Sequence, residues 1–333
     1  MIIDILNIGC LEGARSLDTD SIDGIVTSPP YWGLRSYGGE PGMIGLEPTF
    51  SSHLARLIEL FRELRRVLKS SGSLWVNYGD AYSGGGITQD NRRPKKSSMP
   101  DPKSINRGMR LAPEPGGGPR SKTGDERNVE RKATDLPSGC LLGMAWRLAL
   151  ALVDDGWILR QDIIWHKPNP MPESVRNRCT RSHEYLFHFV KRMGYYWNHE
   201  VMREPVVTPE RYGNRPSVKR GEFNGKTEEI PGRNAFRAVG DTRNRRDVWS
   251  IVPNKFPGAH FATFPPELIR PAILASCPPG GLVVDPFAGA GTVGLVCAEE
   301  GRRFVGFEIN AGYCEMARKR FENVQQKLTL PSE

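Results

Sequence analysis

The sequence predicts an α/β protein built on a largely parallel sheet, and three stretches carry that expectation. "DILNIGC" and "DGIVTS" near the start are short Ile/Val-rich runs that end at Gly or Pro, as buried strands do. "SHLARLIELFRELRRVLKSSG" places Leu54, Leu57, Ile58, Phe61, Leu64 and Leu68 at three- and four-residue spacings, which is a helix closed by "SSG". "GGLVVDPFAGAGTVGLVCAEEGRRFVGFEIN" near the end reads strand, glycine-rich turn, helix, strand. Strands alternating with helices give the rhythm of βαβ units.

Taken in order, the second strand stops on Ser28, Pro29, Pro30 and Tyr31. Two consecutive prolines cannot continue a sheet ladder, because neither has an N–H and both fix φ. The chain therefore presents a rigid, aromatic-tipped elbow at a strand end. "SLWVNYGD" follows the helix as another strand. From 83 to 139 periodicity disappears into Gly, Pro, Lys and Arg, which predicts a long mobile loop. "CLLGMAWRLALALVDDG" resumes as helix, and "WILRQDIIWHK" and "HEYLFHFVKR" alternate as strands. The next polar stretch, from 203 to 248, differs from the first loop because Tyr212, Phe223, Phe236 and then Trp249 punctuate its arginines. Such interleaving suits nucleic-acid contact, and equally suits a solvated insertion pinned to the body by its aromatics. In the last segment, small residues let backbone N–H groups approach a ligand at a helix N-terminus. Glu308 ends the following strand, about 20 positions after the turn, where an acid can hold ribose hydroxyls.

With 333 residues the chain has ample material for one large α/β domain or two modest ones. Its 46 Lys+Arg against 38 Asp+Glu, a formal charge of +8, suit a polyanionic partner without requiring one. Six scattered cysteines without a CxxC pair read as reduced thiols. His166, Cys179, His183 and His188 fit no zinc spacing, so no metal is expected. The start lacks a basic segment and a long apolar core, and no apolar run has the length of a membrane span. A cytoplasmic location without a membrane partner is expected.

"SPPYW" followed much later by "DPFAGAGT" resembles the amino-group DNA methyltransferases of the β arrangement. In that family the catalytic tetrapeptide (Asp, Asn or Ser, then Pro-Pro-Tyr) precedes the cofactor turn, and a target-recognition region lies between. "GLEPTFSSHLARLIELFRELRRVLKSSGSLWVNYGDAY", "GWILRQDIIWHKPNPMPESVRNRCTRSHEYLF" and "GAHFATFPPELI" are similar to further blocks of the family, in family order. The resemblance covers most of the chain outside the two polar stretches. It implies a Rossmann-like seven-stranded mixed sheet of the S-adenosylmethionine-dependent type with an inserted smaller recognition lobe. Residues 1–202 would hold the catalytic half, with 83–139 as a mobile loop, 203–250 the target-recognition region, and 251–325 the cofactor-binding half.

The resemblance also implies roles. Ser28, Pro29, Pro30 and Tyr31 would be catalytic: the Ser28 hydroxyl and the Pro29 carbonyl accept from the target amine, and Tyr31 stacks on the base. Phe261, Thr263, Phe264, Pro265, Asp285, Phe287, Gly289, Gly291, Thr292 and Glu308 would bind S-adenosylmethionine. Arg211, Arg233, Arg243, Arg245 and Arg246 would contact double-stranded DNA. One departure stands at Gly9-Cys10, where family members often carry Gly-Asp; Cys10 is therefore left out of the site.

The implied reaction is methyl transfer to the exocyclic N4 amine of a flipped-out cytosine, within a restriction-modification system. N6 of adenine presents the same conjugated amine and is the alternative. Ser-Pro-Pro-Tyr is more typical of the cytosine enzymes, and a hydroxyl can also donate to a ring nitrogen such as cytosine N3. Protein-glutamine and RNA methyltransferases generally place the cofactor turn first, which this chain does not. A non-catalytic DNA-binding derivative would be expected to have lost the elbow or the turn, and both are intact. The DNA target, the oligomeric state and a companion restriction endonuclease are left open.

Overall fold

The computed structural model describes residues 2–33, 42–83, 136–205, 242–253 and 264–329. In chain order its strands are β1 (Ile3–Asn7), β2 (Ile22–Thr27), β3 (Leu68–Tyr78), β4 (Ile158–His166), β5 (His183–Val190), β6 (Arg203–Pro205), β7 (Thr242–Asn244), β8 (Val248–Ser250), β9 (Leu282–Asp285) and β10 (Arg303–Glu308). The helices are α1 (Cys10–Ser16), α2 (Phe50–Val67), α3 (Met144–Asp154), α4 (Pro266–Ser276), α5 (Thr292–Glu299) and α6 (Ala311–Thr329), with a short 3-10 turn at His199–Met202.

The main sheet has the order β1-β10-β9-β2-β3-β5-β4-β8. Strands β1, β10, β9, β2 and β3 are mutually parallel, and β5 is antiparallel to both β3 and β4. The first seven strands are the mixed sheet the sequence implies. An eighth, β8, pairs parallel to β4 at its outer edge, so residues 248–250 belong to the main sheet and not to a separate lobe.

Strand β2 is buried along its whole length, which explains its unbroken apolar character. In β3 the two-residue period sends Leu74, Val76 and Tyr78 to the face covered by α2 and α3, and Trp75 to the face covered by α4, α5 and α6. Helix α2 starts at a reciprocal cap in which the Thr49 and Ser52 side chains each accept the other's backbone N–H. Its buried stripe is His53, Leu57, Leu60, Phe61, Leu64 and Val67, so Leu60 takes the place expected for Ile58. "SSG" does not close this helix: Ser70, Ser71 and Gly72 lie inside β3, where the register against β2 shifts. A Cβ on Gly72 would stand 2.5 Å from the Leu68 side chain and 2.8 Å from the Asp23 carbonyl, so the bulge requires glycine.

Residues 84–135 and 206–241 lie outside the described residues, but the chain on either side of each is paired. Ser83 N–H donates to the Cys140 carbonyl at 2.8 Å, and Gly139 N–H to the Ser83 carbonyl at 2.9 Å. Strands β6 and β7 pair antiparallel across the second stretch. The described residues that flank each stretch thus pair with one another. Helix α3 begins four residues after Cys140, where Asp80 Oδ1 accepts the Met144 N–H at 3.0 Å. Among the described residues no helix is long and apolar enough to cross a membrane.

Candidate active site

The parallel strands bring the carboxyl ends of β1, β10, β9, β2 and β3 to one edge, where α/β sheets bind ligands. Strands β2 and β9 are neighbours there although their sequences lie at opposite ends of the chain. Thr27 Oγ1 donates to Asp285 Oδ1 at 2.7 Å, joining the last residue of β2 to the last residue of β9. One bond therefore couples the residue before Ser28 to the first residue of the glycine-rich turn.

Beyond Thr27, Pro29 is buried, while Ser28, Pro30 and Tyr31 are partly exposed. The Tyr31 hydroxyl donates to Glu184 Oε2 at 2.9 Å, and its ring meets Tyr78 edge-on at 4.8 Å between centroids. Burial, then the Glu184 charge, hold the phenol well above its ordinary pKa, so Tyr31 is protonated. A second layer fixes the elbow from below. Trp32 Nε1 donates to the Glu47 carbonyl at 2.7 Å, and Glu47 Oε2 pairs with His53 Nδ1 at 2.8 Å. His53 Nε2 in turn meets the Tyr78 hydroxyl at 2.9 Å. Burial opposes ionisation of Glu47, but the bonds from His53 and Gly45 outweigh it and hold its carboxyl below the usual range.

Across the Thr27 bridge, Asp285 Oδ1 also accepts the Phe287 N–H at 3.0 Å. Burial pushes the Asp285 carboxyl up to about 7 despite those two donors. Glu308 ends β10 as expected, and its two oxygens accept the N–H groups of Gly289 (2.9 Å) and Asn310 (2.8 Å). Burial raises its pKa, and the backbone donors oppose the rise. Gly289 and Gly291 have φ of 51° and 76°. A Cβ on Gly291 would also stand 2.7 Å from the Phe321 ring and 2.8 Å from Ala317, where α6 packs on the turn. Thr292 opens α5 directly behind Gly291. Phe264 is buried and Pro265 stands immediately before α4; Phe261 and Thr263 lie outside the described residues. Cys10 is the first residue of α1, and burial pushes its thiol up to about 11.

The arginines expected to face DNA are largely engaged within the protein. Arg243 and Arg246 both donate to Glu204 Oε1, at 2.8 and 2.9 Å. Arg245 lies over the Trp249 ring, 3.9 Å from its centroid. These three brace the neck of the second insertion, although the Arg246 side chain remains 65% exposed. Arg211 and Arg233 lie outside the described residues.

Of the histidines considered as ligands, His188 stacks on Trp75 at 4.1 Å between ring centroids, with Trp197 5.4 Å away, and bonds Ser73 Oγ at 3.0 Å; burial, then the Arg160 charge, lower its pKa to about 3. Among the described residues no group of three His, Cys, Asp or Glu is placed to hold a metal. Sequence reasoning missed Thr27, Asn77, Lys167 and Glu184, because the contacts that make them part of the site join distant segments. Glu184 lies in the "HEYLF" strand, and nothing local distinguishes it from an ordinary surface acid.

A family model described as DNA methylase, of the N6 and N4 amino type, matches residues 22–319. Similar curated proteins include the type II methyltransferase M.XycI of Xanthomonas campestris pv. cyanopsidis, 43% identical over 308 residues that span 92% of this chain and 84% of that protein. M.Cfr9I of Citrobacter freundii is 43% identical over 312 residues (94% and 85%), and M.SmaI of Serratia marcescens 40% over 309 residues (93% and 87%). Among solved structures, the cytosine-N4-specific PvuII DNA methyltransferase shares the fold with a TM-score of 0.59 at 17% identity, over 97% of this chain and 89% of that one. The Thermus thermophilus protein TTHA0409, complexed with S-adenosyl-L-methionine, gives 0.54 at 20% identity, over 97% and 94%.

Proposed function

The chain belongs to the N6/N4 DNA methylase family, and from that premise we propose that it is a site-specific DNA methyltransferase. In this reading it moves a methyl group from S-adenosylmethionine to the N4 amine of a cytosine flipped out of duplex DNA. The observation that carries the reading is the Ser28–Tyr31 elbow, set beside the glycine-rich turn by the Thr27–Asp285 hydrogen bond.

The residues present fit the cofactor. Each Glu308 oxygen holds one backbone N–H and keeps acceptor capacity for a ribose hydroxyl. The run Ala288-Gly289-Ala290-Gly291 carries no side chain beyond Cβ and so lets a ligand approach the backbone closely at the start of α5. Asp285, Phe287 and Thr292 border that cradle, with Phe264 and Pro265 ahead of α4. Bound S-adenosylmethionine supplies an electrophilic methyl group on a cationic sulfur.

An exocyclic amine on a base is a weak nucleophile, because its lone pair is delocalised into the ring. Acceptors aimed at its N–H bonds favour the pyramidal geometry that frees the pair. Ser28 Oγ and the Pro29 carbonyl are those acceptors, and the two prolines fix them in advance of binding. Tyr31 closes the elbow over the base. Serine at the first position leaves no buried negative charge against the ring, which favours cytosine over adenine. The second insertion, from the β6–β7 neck onward, serves as the target-recognition region between a catalytic half (1–202) and a cofactor-binding half (251–325). The type II designation of the relatives supports a place in a restriction-modification system.

The test is nucleoside mass spectrometry of unmodified duplex DNA incubated with the protein and S-adenosylmethionine. N4-methylcytosine is the expected product. N6-methyladenine alone overturns the choice of base, and absence of any methylated nucleoside overturns the enzymatic reading.

A further inference from the structure

The segment "KPNPMPESVRNRCTRS", residues 167–182, joins β4 to β5 and carries four cations against one carboxylate. Strand β4 runs antiparallel to β5, as β3 does, so β4 points the same way as β3. Its carboxyl end therefore lies at the edge that holds the elbow and the glycine-rich turn. In the sheet order β4 stands three places from β2, roughly 14 Å at about 4.8 Å per strand. One turn of duplex DNA, about 34 Å long, spans that distance easily. The segment is braced at several points. Lys167 Nζ pairs with Glu184, which also accepts the Tyr31 O–H at 2.9 Å and an N–H of Asn77 Nδ2 at 3.3 Å. The same ammonium lies 4.3 Å from the Trp165 ring centroid. Arg178 pairs with Glu173 and lies over the Tyr82 ring, 3.9 Å from its centroid. Pro168, Pro170 and Pro172 fix φ at alternate positions of the first half.

The two remaining arginines have no such duty. Arg176 is exposed and Arg181 partly exposed, and neither has a hydrogen-bond or ion-pair partner among the described residues. Arg243 and Arg246, by contrast, share Glu204. A guanidinium already bound to a carboxylate must give up that bond to take a phosphate. An unpaired one on a braced segment gives up only water and little conformational freedom. Its planar fork of N–H donors also matches two phosphate oxygens at once. Contacts of this kind supply much of the affinity for DNA and fix its position without reading its sequence.

We propose that Arg176 and Arg181 form a phosphate-binding surface on the β4–β5 segment, which holds duplex DNA against the catalytic edge. The proposal rests on the methyltransferase reading above. Its test compares the double variant Arg176→Gln/Arg181→Gln with Arg192→Gln. The control removes an exposed arginine just past β5, at the opposite edge of the sheet. Affinity for duplex DNA is measured by fluorescence anisotropy over a salt series, alongside methyl transfer and S-adenosylmethionine affinity. The double variant is expected to bind DNA roughly 10- to 100-fold more weakly, and its slope of log affinity against log salt should be shallower by roughly two. Each single variant should lose about half of that slope change, and Arg192→Gln should stay within about twofold of wild type. The kcat at saturating DNA, the cofactor affinity and the methylated sequence should not change, because phosphate contacts carry no base information. Lysine at both positions should keep the wild-type slope, since it keeps the charge. A wild-type slope in the double variant, or in either single variant if the double fails to fold, overturns the proposal. So does an equal loss per arginine in Arg192→Gln, which would make the effect one of net charge. A fall in kcat at unchanged KM for DNA overturns it too, by assigning the segment to the chemistry. A wild-type protein that binds DNA through these two arginines yet transfers no methyl group overturns the functional reading alone.

Discussion

The two turns that face each other across the Thr27–Asp285 bond are held by different means. The turn after β9 is made of backbone: Gly289 N–H docks on Glu308, Gly291 takes a left-handed φ, and a Cβ on Gly306 would stand 2.7 Å from Ala288. The elbow after β2 is made of side chains borrowed from elsewhere, with Tyr31 on Glu184 and Tyr78, and Trp32 on Glu47. A turn that holds a ligand by shape must exclude bulk. A turn that acts on a reacting group must instead aim individual oxygens. The first kind should therefore break through added volume, and the second through a lost atom.

The largest effect expected from that contrast is Gly291→Ala. Its methyl group would enter the Phe321 and Ala317 contact at a φ that L residues rarely adopt, and overpacking plus backbone strain should cost about 3 kcal/mol. Denaturant melting measures it, and a wild-type midpoint would show that α6 yields easily. Ser28→Ala should leave the melt almost unchanged while lowering kcat by roughly 100-fold, equivalent to about 2.7 kcal/mol of transition-state stabilisation. A similar fall in stability would make the elbow structural and erase the contrast. Glu308→Ala should weaken cofactor binding by about 2 kcal/mol, as expected for a charge-assisted hydrogen-bond pair. Because Glu308 also holds Gly289 and Asn310, some stability should be lost with it; unchanged affinity by calorimetry would mean the ribose is held elsewhere.

The smallest effect is a pH dependence. Asp285 binds its proton more tightly folded than unfolded, its pKa rising from 3.8 to about 7 through burial. Its contribution to stability is therefore full below about pH 4 and is lost as pH rises through about 7. Lowering the pH from 8 to 7 should stabilise the protein by roughly a few tenths of a kcal/mol through this group. Asp285→Asn should flatten that part of the profile, and an identical slope in the variant would place the linkage on another group.

The same contrast decides what the sequence discloses. Asp285, the glycines and Glu308 fall within one short βαβ segment, so their spacing alone indicates a cradle for a ligand. The elbow is visible as Pro-Pro, but Tyr31 and Glu184 lie 153 residues apart, and only the antiparallel placement of β5 beside β3 brings them together. Residues 203–250 show the converse difficulty. Composition suggests arginines free for DNA, yet Glu204 occupies two of them through pairing in the β6–β7 neck. Gly72 misled in another way: "SSG" after a helix reads as a stop, and only the contact with Leu68 and Asp23 reveals a bulge inside a strand.

The placement of β9 and β10 between β1 and β2 has a consequence for synthesis of the chain on the ribosome. Strands β1 and β2 emerge early, linked by α1, yet they cannot pair with each other, because the two strands that separate them are among the last elements to be translated. The nascent protein can assemble β2 with β3, β5 and α2 and form the elbow. It has no cradle beside that elbow until β9 and β10 slide into the gap. Long-range parallel pairing of this kind is slow. On the function proposed above, the growing chain would carry the Ser28–Tyr31 elbow without a methyl source, and its chemistry would switch on only when the C-terminal strands dock.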